Sequence, residues 1–223
     1  MGWINRPAWW NDLPEELVSR CHYVSINDWQ LSPAAETLIK SYISRFGAST
    51  IERRIAMHSW KRADICCHEM PKNMSLIDIG SGLGEFVNLF ACMNRDCAVA
   101  SVDISDFDLW YDHSSHIERI YANVLDLGDE HIHDVVTCFQ VLEHLKPELI
   151  TEAISKLYSL ARKKLYVSVP FKEPEPIYRG HYSRFEADDI LAMFPGAKYT
   201  ILEKNKTPEG EAWTWILCDI DAT

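Results

Sequence analysis

The sequence predicts an α/β protein: a seven-stranded, mostly parallel sheet with an antiparallel edge hairpin and an N-terminal helical cap. Three observations carry this. From about residue 75 onward, short apolar runs alternate with helical patterns, which implies parallel strands covered on both faces. The first run, Leu76-Ile-Asp-Ile79, passes straight into Gly80, Gly82 and Gly84, and a helical pattern starts at Glu85. The last two runs, about 197–204 and 212–220, are joined around Pro208-Glu-Gly210. That link is too short for a parallel crossover, so the two strands should form a hairpin.

Residues 1–50 read as the cap, not independent of the rest, and 51–223 as the main domain. The first 45 residues hold Trp3, Trp9, Trp10 and Trp29, four of the eight tryptophans, and are broken at Pro7, Pro14 and Pro33. Helices are expected at 14–21 and 33–46. Each has proline in its first turn, where the missing N–H costs nothing. A third helix is expected over 51–67. Strands then read at about 75–79, 98–103, 118–122, 134–140 and 164–169. Helices read at about 85–93, 147–161 and 186–193. In the final strand Trp213, Trp215 and Leu217 alternate with polar or small neighbours and so share one face.

Composition narrows the class. Hydrophobic residues make up 47% of the 223, which suits a globular domain with a full core. No apolar run of about 18 residues occurs, so no transmembrane helix is expected. The N-terminus lacks the basic-then-apolar order of a signal peptide. The seven cysteines are odd in number and lack a framework spacing, as in a cytoplasmic protein with reduced thiols. The formal net charge is −11, and no basic cluster exceeds Arg53-Arg54 or Arg162-Lys-Lys164. That argues against a nucleic-acid partner.

The glycine loop is the most specific local signal. Glycine lacks a Cβ and tolerates positive φ, so this backbone can approach a ligand closely. A dinucleotide fingerprint G-x-G-x-x-G would need glycine at 85, which is Glu85. The loop therefore suits a nucleoside ligand without a pyrophosphate. The next strand, Ala98-Val-Ala-Ser-Val-Asp103, ends in an acid about twenty residues past the loop, where a carboxylate can accept both hydroxyls of a ribose. The third strand leads to Asn123-Val-Leu-Asp126, whose side chains can read an adenine edge. The fourth runs through Gln140 into Val141-Leu-Glu-His-Leu145.

Taken together, LIDIGSGLGEF, SVDIS, ANVLDL, DVVTCFQVLEHL and LYVSVP resemble, in order and spacing, the class I S-adenosylmethionine-dependent methyltransferases, over residues 76–220. VLEHL is similar to the branch that modifies small molecules. Gly180-His-Tyr-Ser-Arg-Phe185 resembles an element that follows the fifth strand there. The resemblance implies a Rossmann-like sheet and S-adenosylmethionine as cofactor, with S-adenosylhomocysteine as product. It implies that Asp78, Gly80, Ser81, Gly82 and Gly84 hold the methionine part of the cofactor. Asp103 would bind the ribose, Ile104 would lie against the adenine, Asn123 and Val124 would flank it, and Gln140 would line the transfer side.

The acceptor side is read from the residues nearby. An oxygen nucleophile often needs a base, and His144 and His181 are the candidates. Glu143, Tyr182, Arg184 and Trp60 are candidate acceptor contacts. Arg54, His58 and Trp60, at roughly helical spacing, can also reach the cofactor carboxylate. No metal-ligand set is assigned. Cys66-Cys67 cannot converge on zinc from adjacent helical positions, and no C-x-x-C pair exists. His131-Ile-His133 and Asp112-His-Ser-Ser-His116 read as polar loops. A divalent ion helping an acceptor hydroxyl ionise is the alternative to a histidine base, and Glu143 is one group that can bind it. The tryptophan-rich N-terminus reads as a lid over the acceptor, with packing, dimerisation or membrane-surface contact as other readings. The expected reaction is O-methylation of a small metabolite or sugar. Methylation of RNA or protein, and a non-catalytic cofactor-binding role, are the alternatives.

Overall fold

The computed structural model describes residues 7–106, 116–204 and 213–222. Eight strands form one sheet in the order β1-β7-β8-β6-β5-β2-β3-β4. They are β1 (Cys21–Ser25), β2 (Leu76–Ile79), β3 (Val99–Asp103), β4 (Ile117–Tyr121), β5 (His133–Phe139), β6 (Ala161–Pro170), β7 (Lys198–Lys204) and β8 (Trp213–Asp221). Among them only β8 runs against its neighbours, β6 and β7. The helices are α1 (Glu15–Val18), α2 (Pro33–Phe46), α3 (Ala48–Arg54), α4 (Met57–Glu69), α5 (Glu85–Met93), α6 (Pro147–Leu160) and α7 (Ala187–Met193).

The period-2 alternation of strand side chains sorts the core into two layers. Leu76, Val99, Val135, Tyr166 and Leu217 face a layer built from α2, α3, α4 and α5. Ile77, Ala100, Val136, Leu165 and Ile201 face the other, with Leu157 of α6 and Ile190 of α7. Residues such as Leu89 and Phe90 are fully buried, and each such burial contributes about 1.5–3 kcal/mol.

The mostly parallel sheet with an antiparallel pair is as expected from the sequence, with three differences of detail. The sheet has eight strands rather than seven. The helix expected over 14–21 stops at Val18, and the chain enters β1 at Cys21, with Cys21 and Tyr23 turned inward and His22 outward. Here β1 pairs in parallel with β7, and the Tyr23 hydroxyl donates to the Glu203 carboxylate. The β7–β8 hairpin therefore lies one strand in from the edge. The expected helix over 51–67 is split, because Ile55 and Ala56 are extended between α3 and α4. Ile51 and Ile55 are both buried, so core packing sets this break without Gly or Pro. The link around Pro208-Glu-Gly210 lies outside the described residues, as do Trp3 and residues 112–115.

The N-terminal segment is tied into the protein. Asp64 of α4, fully buried, accepts hydrogen bonds from Trp29 Nε1 (2.9 Å), Ser32 N (2.8 Å) and Ser32 Oγ (2.6 Å). Ser32 also caps α2, accepting from Ala35 N. Trp10 is 4% exposed and packs edge-on against Tyr23. No helix among the described residues is long and apolar enough to cross a membrane.

Candidate active site

The order of the strands reverses between β2 and β5. From β2 the chain moves outward to β3 and β4, then returns to place β5 on the other side. A crevice opens at the carboxyl ends of strands at such a point. The glycine loop leaves β2 there, and the turn after β5 crosses it. Gly80 has φ 74°, and a Cβ on it would lie 2.2 Å from Val141 Cγ2. Its N–H and that of Ser81 donate to the Val102 carbonyl, at 2.8 and 3.1 Å. Gly82 has φ 53°, and a Cβ there would meet nothing within 4 Å, so this part of the loop faces open space. Gly84, also left-handed, starts α5.

Asp103 closes the loop from the next strand. One carboxylate oxygen accepts from Gly82 N and the other from Ser105 N, both at 2.9 Å. A cleft of about 420 Å³ lies over these groups. It is lined by Gly80, Gly82, Asp103 and Ile104 from the glycine loop and the end of β3, and by Asn123, Val124, Gln140, Val141, His144 and Leu145 from the turns after β4 and β5. Ile104 is 76% exposed, an apolar side chain awaiting cover. Asn123 Oδ1 accepts from Leu125 N and caps the short turn of Val124–Asp126. Gln140 has φ 59°, and its Nε2 donates to Ser168 Oγ at 3.0 Å, which anchors β5 to β6 beside the cleft.

Three of the residues assigned to the cofactor lie behind this lining. Ser81 is 8% exposed and its hydroxyl sits 3.1 Å from the Val102 carbonyl, so it braces the loop. Gly84 forms the helix start. Asp78 is buried beneath the loop and accepts from Thr137 Oγ1 at 2.7 Å. Burial pushes its carboxyl up to about 8, against the lowering effect of Thr137, and the charges of Glu85 and Asp103 push the same way.

His144 and His181 pack edge to face, ring centroids 4.9 Å apart. His144 lines the cleft; His181 stands behind it. His144 Nδ1 is 2.9 Å from the Gly180 carbonyl, and His181 Nδ1 is 2.8 Å from Glu173 Oε2. Glu173 also accepts from Tyr178 N through its other oxygen. Glu143 is 1% exposed. Burial pushes its carboxyl up to about 8; its own backbone N–H and Arg62 oppose this, and Glu173 adds to it. Tyr182 donates its backbone N–H to the Glu143 carbonyl at 2.7 Å, and its side chain is 61% exposed. Arg184 pairs with Glu186 and Glu175, away from the cleft lining. Trp60 is 1% exposed, packed on Tyr42 in the α2–α4 layer, and is not brought to the cleft.

Two residues with a place here were not singled out from sequence. Glu173 follows β6 in no recognisable motif, and only the fold brings it to His181. Arg62 stacks on Trp215 at 4.5 Å and acts electrostatically on Glu85 and Glu143. The signal that can find it is its position one turn beyond His58, which also stacks on Trp215. Burial, with Arg62 and Lys204, pushes His58 down to about 4. Arg54 is exposed at the end of α3. Cys66 and Cys67 are buried thiols, Cys66 pushed up to about 12 by desolvation. His133 Nδ1 turns to the His131 carbonyl.

A family model described as a methyltransferase domain matches residues 42–203. No curated protein matches the chain significantly by sequence. Several solved structures share the fold. Magnesium protoporphyrin IX methyltransferase from Synechocystis PCC 6803, with bound SAM, superposes with a TM-score of 0.55 at 17% identity. The match covers 86% of this chain and 100% of that one. The 1,6-didemethyltoxoflavin-N1-methyltransferase of Burkholderia thailandensis, with its substrate and S-adenosylhomocysteine, gives 0.53 at 14% identity, covering 86% and 92%. The N-methyltransferase NodS of Bradyrhizobium japonicum WM9, with S-adenosylhomocysteine, gives 0.57 at 14%, covering 77% and 97%. At such identities the likeness speaks to the fold. The matched segment carries the glycine loop, the acid ending β3 and the turn after β5, and the chain belongs to the methyltransferase-domain family, among the class I S-adenosylmethionine-dependent methyltransferases.

Proposed function

We propose that this protein transfers a methyl group from S-adenosylmethionine to an oxygen of a small metabolite or sugar. The observation that carries the reading is a single cleft lined both by Asp103 and the glycine loop and by His144. Two of the structural relatives named above act, as their names say, on small molecules, a porphyrin and a toxoflavin precursor. The residues present suit the cofactor: Gly82 opens onto space, Ile104 presents an apolar face, and Asp103 offers a carboxylate at a strand end. When bound, S-adenosylmethionine supplies a methyl already activated by its sulfonium.

The chain's own residues then bind, align and exclude water. Asp103 would accept from the ribose hydroxyls, and it keeps Gly82 in place. Gly80, held against Val141, fixes the distance between the loop and the turn that carries His144. Alignment of an acceptor against the donor is the main rate term in such a transfer, worth several kcal/mol. His144 Nδ1 donates to a carbonyl, so its Nε2 has the lone pair that takes the acceptor's proton. Incubation with methyl-labelled cofactor and candidate acceptors, followed by mass spectrometry of the product, tests the reading. Label on an acceptor oxygen supports it; label only on nitrogen, or no turnover with cofactor bound, rejects it.

Two predictions belong here. His144→Ala should lower turnover by about 10²–10⁴-fold and leave cofactor affinity within about threefold. Unchanged turnover would reject His144 as the proton acceptor. The second concerns Asp78. Its raised value means that below about pH 8 the unliganded protein holds it protonated. A cationic methionine ammonium beside it needs the carboxylate, so binding releases a proton. Cofactor affinity should therefore rise with pH, by up to about tenfold per unit, toward about 8, and fall beyond it as the ligand's own ammonium, with an ordinary value of about 8, loses its proton. For the unliganded fold the sign is opposite: stability is fullest below about pH 4 and falls as pH rises from there to about 8. Asp78→Asn should weaken binding and flatten both dependences, measured by calorimetry and melting at a series of pH values.

A further inference from the structure

At the acceptor end, Glu143, His144 and His181 each bring one ligand-type atom to within 4.8 Å of the other two. Their hydrogen bonds fix what those atoms are. A carbonyl oxygen only accepts, so the 2.9 Å contact to Gly180 puts the proton of His144 on Nδ1 and leaves a lone pair on Nε2. The Glu173 carboxylate does the same for His181 at 2.8 Å. A carboxylate behind an imidazole is the usual outer partner of a histidine ligand. The third member has an oxygen with nothing to do: Glu143 Oε2 is buried with no hydrogen-bond partner, in a residue 1% exposed. A buried carboxylate oxygen without a donor or cation is an unfavourable arrangement that a ligand would relieve.

We propose that Glu143, His144 and His181 form a binding site for a divalent first-row transition-metal ion, with Glu173 and the Gly180 carbonyl orienting the two imidazoles. Two imidazoles and one carboxylate suit manganese, iron, cobalt, nickel or zinc; magnesium and calcium take oxygen ligands. Three protein ligands would leave coordination positions free for an acceptor, and His144 is exposed and lines the cleft. An acceptor hydroxyl coordinated there would ionise more readily, its proton passing to solvent. That use rests on the proposed methyl transfer, and with metal bound the His144 Nε2 is a ligand and no longer the proton acceptor. The site itself depends only on the three side chains.

The test titrates the metal-stripped full-length protein with Co²⁺ alone, without donor or acceptor, following heat and the cobalt absorption bands. One equivalent is expected to bind, to be displaced by Zn²⁺ and not by the same concentration of Mg²⁺. Glu143→Gln and His181→Ala should each weaken binding by more than about a hundredfold, and Glu173→Gln by about 10–100-fold. Circular dichroism checks that the variants are folded; Glu143→Gln keeps the size and shape of the buried side chain and carries the test if His181→Ala does not fold. Absence of stoichiometric binding overturns the proposal. So does binding that Glu143→Gln leaves unchanged, which would put the ion on other histidines. Because no methyl donor is present, failure of the methyl-transfer reading leaves this result intact, and the converse holds for product analysis.

Discussion

Asp103→Ala is expected to weaken cofactor binding at least a hundredfold, about 3 kcal/mol, and to reduce methyl transfer in step at limiting cofactor. The size follows from the bonds lost. Charge-assisted hydrogen bonds contribute about 1.5–3 kcal/mol each, and a ribose offers two hydroxyls to one carboxylate. The substitution also releases Gly82 N–H and Ser105 N–H, both held by Asp103. The loop then loses the partner that keeps it in register with β3. Asp103→Asn keeps one acceptor oxygen and should lose less. The fold should suffer little, because Asp103 sits half-buried at a strand end. Calorimetric titration with S-adenosylhomocysteine measures the loss, and an affinity within about threefold of the parent would refute the ribose assignment.

Gly80→Ala should damage both stability and binding. The backbone at φ 74° costs an L-residue about 1–2 kcal/mol. The new Cβ would meet Val141 Cγ2 at 2.2 Å, and such overpacking typically costs about 1–3 kcal/mol. Together they predict a loss of about 2–5 kcal/mol, or roughly 4–20 °C in melting temperature for a chain of this size. The two parts separate in a double-mutant cycle. Val141→Ala should restore the steric part and leave the backbone part, giving a coupling of about 1–3 kcal/mol. Additive effects would mean that the contact between loop and turn is not the constraint. Gly82→Ala, with open space at its Cβ, should cost only the backbone strain in the unliganded protein.

The part of the cleft proposed for the donor is legible in the sequence because its residues are local. Gly80, Gly82 and Gly84 stand together in sequence, and Asp103 is recognised by its place after the next strand. The acceptor end was only half legible. His144 and His181 could be named, yet nothing in their spacing says that their rings touch or that Glu173 stands behind one of them. Those are tertiary facts, produced by the loop after β6 folding back onto the turn after β5. Trp60 illustrates the same limit in reverse: helical spacing put it beside Arg54 and His58, and the packing of α2 against α4 then buried it on Tyr42. The split between α3 and α4 has no Gly or Pro to announce it. Strand β1 is five residues long, too short for alternation to outweigh the helical pattern before it.

That short strand links the beginning of the chain to its end. Cys21 pairs with Tyr199, so about 180 residues separate the partners in sequence. During synthesis at about 5–20 residues per second, β1 waits about 10–35 s before its partner exists. The matched methyltransferase segment begins only after it, at residue 42. Pairing of β1 with β7 cannot begin before residues 198–204 are made, and until it forms β7 presents a bare edge able to recruit another chain. Aggregation during expression, more than any loss in the finished protein, is where substitutions in residues 21–25 should first be felt.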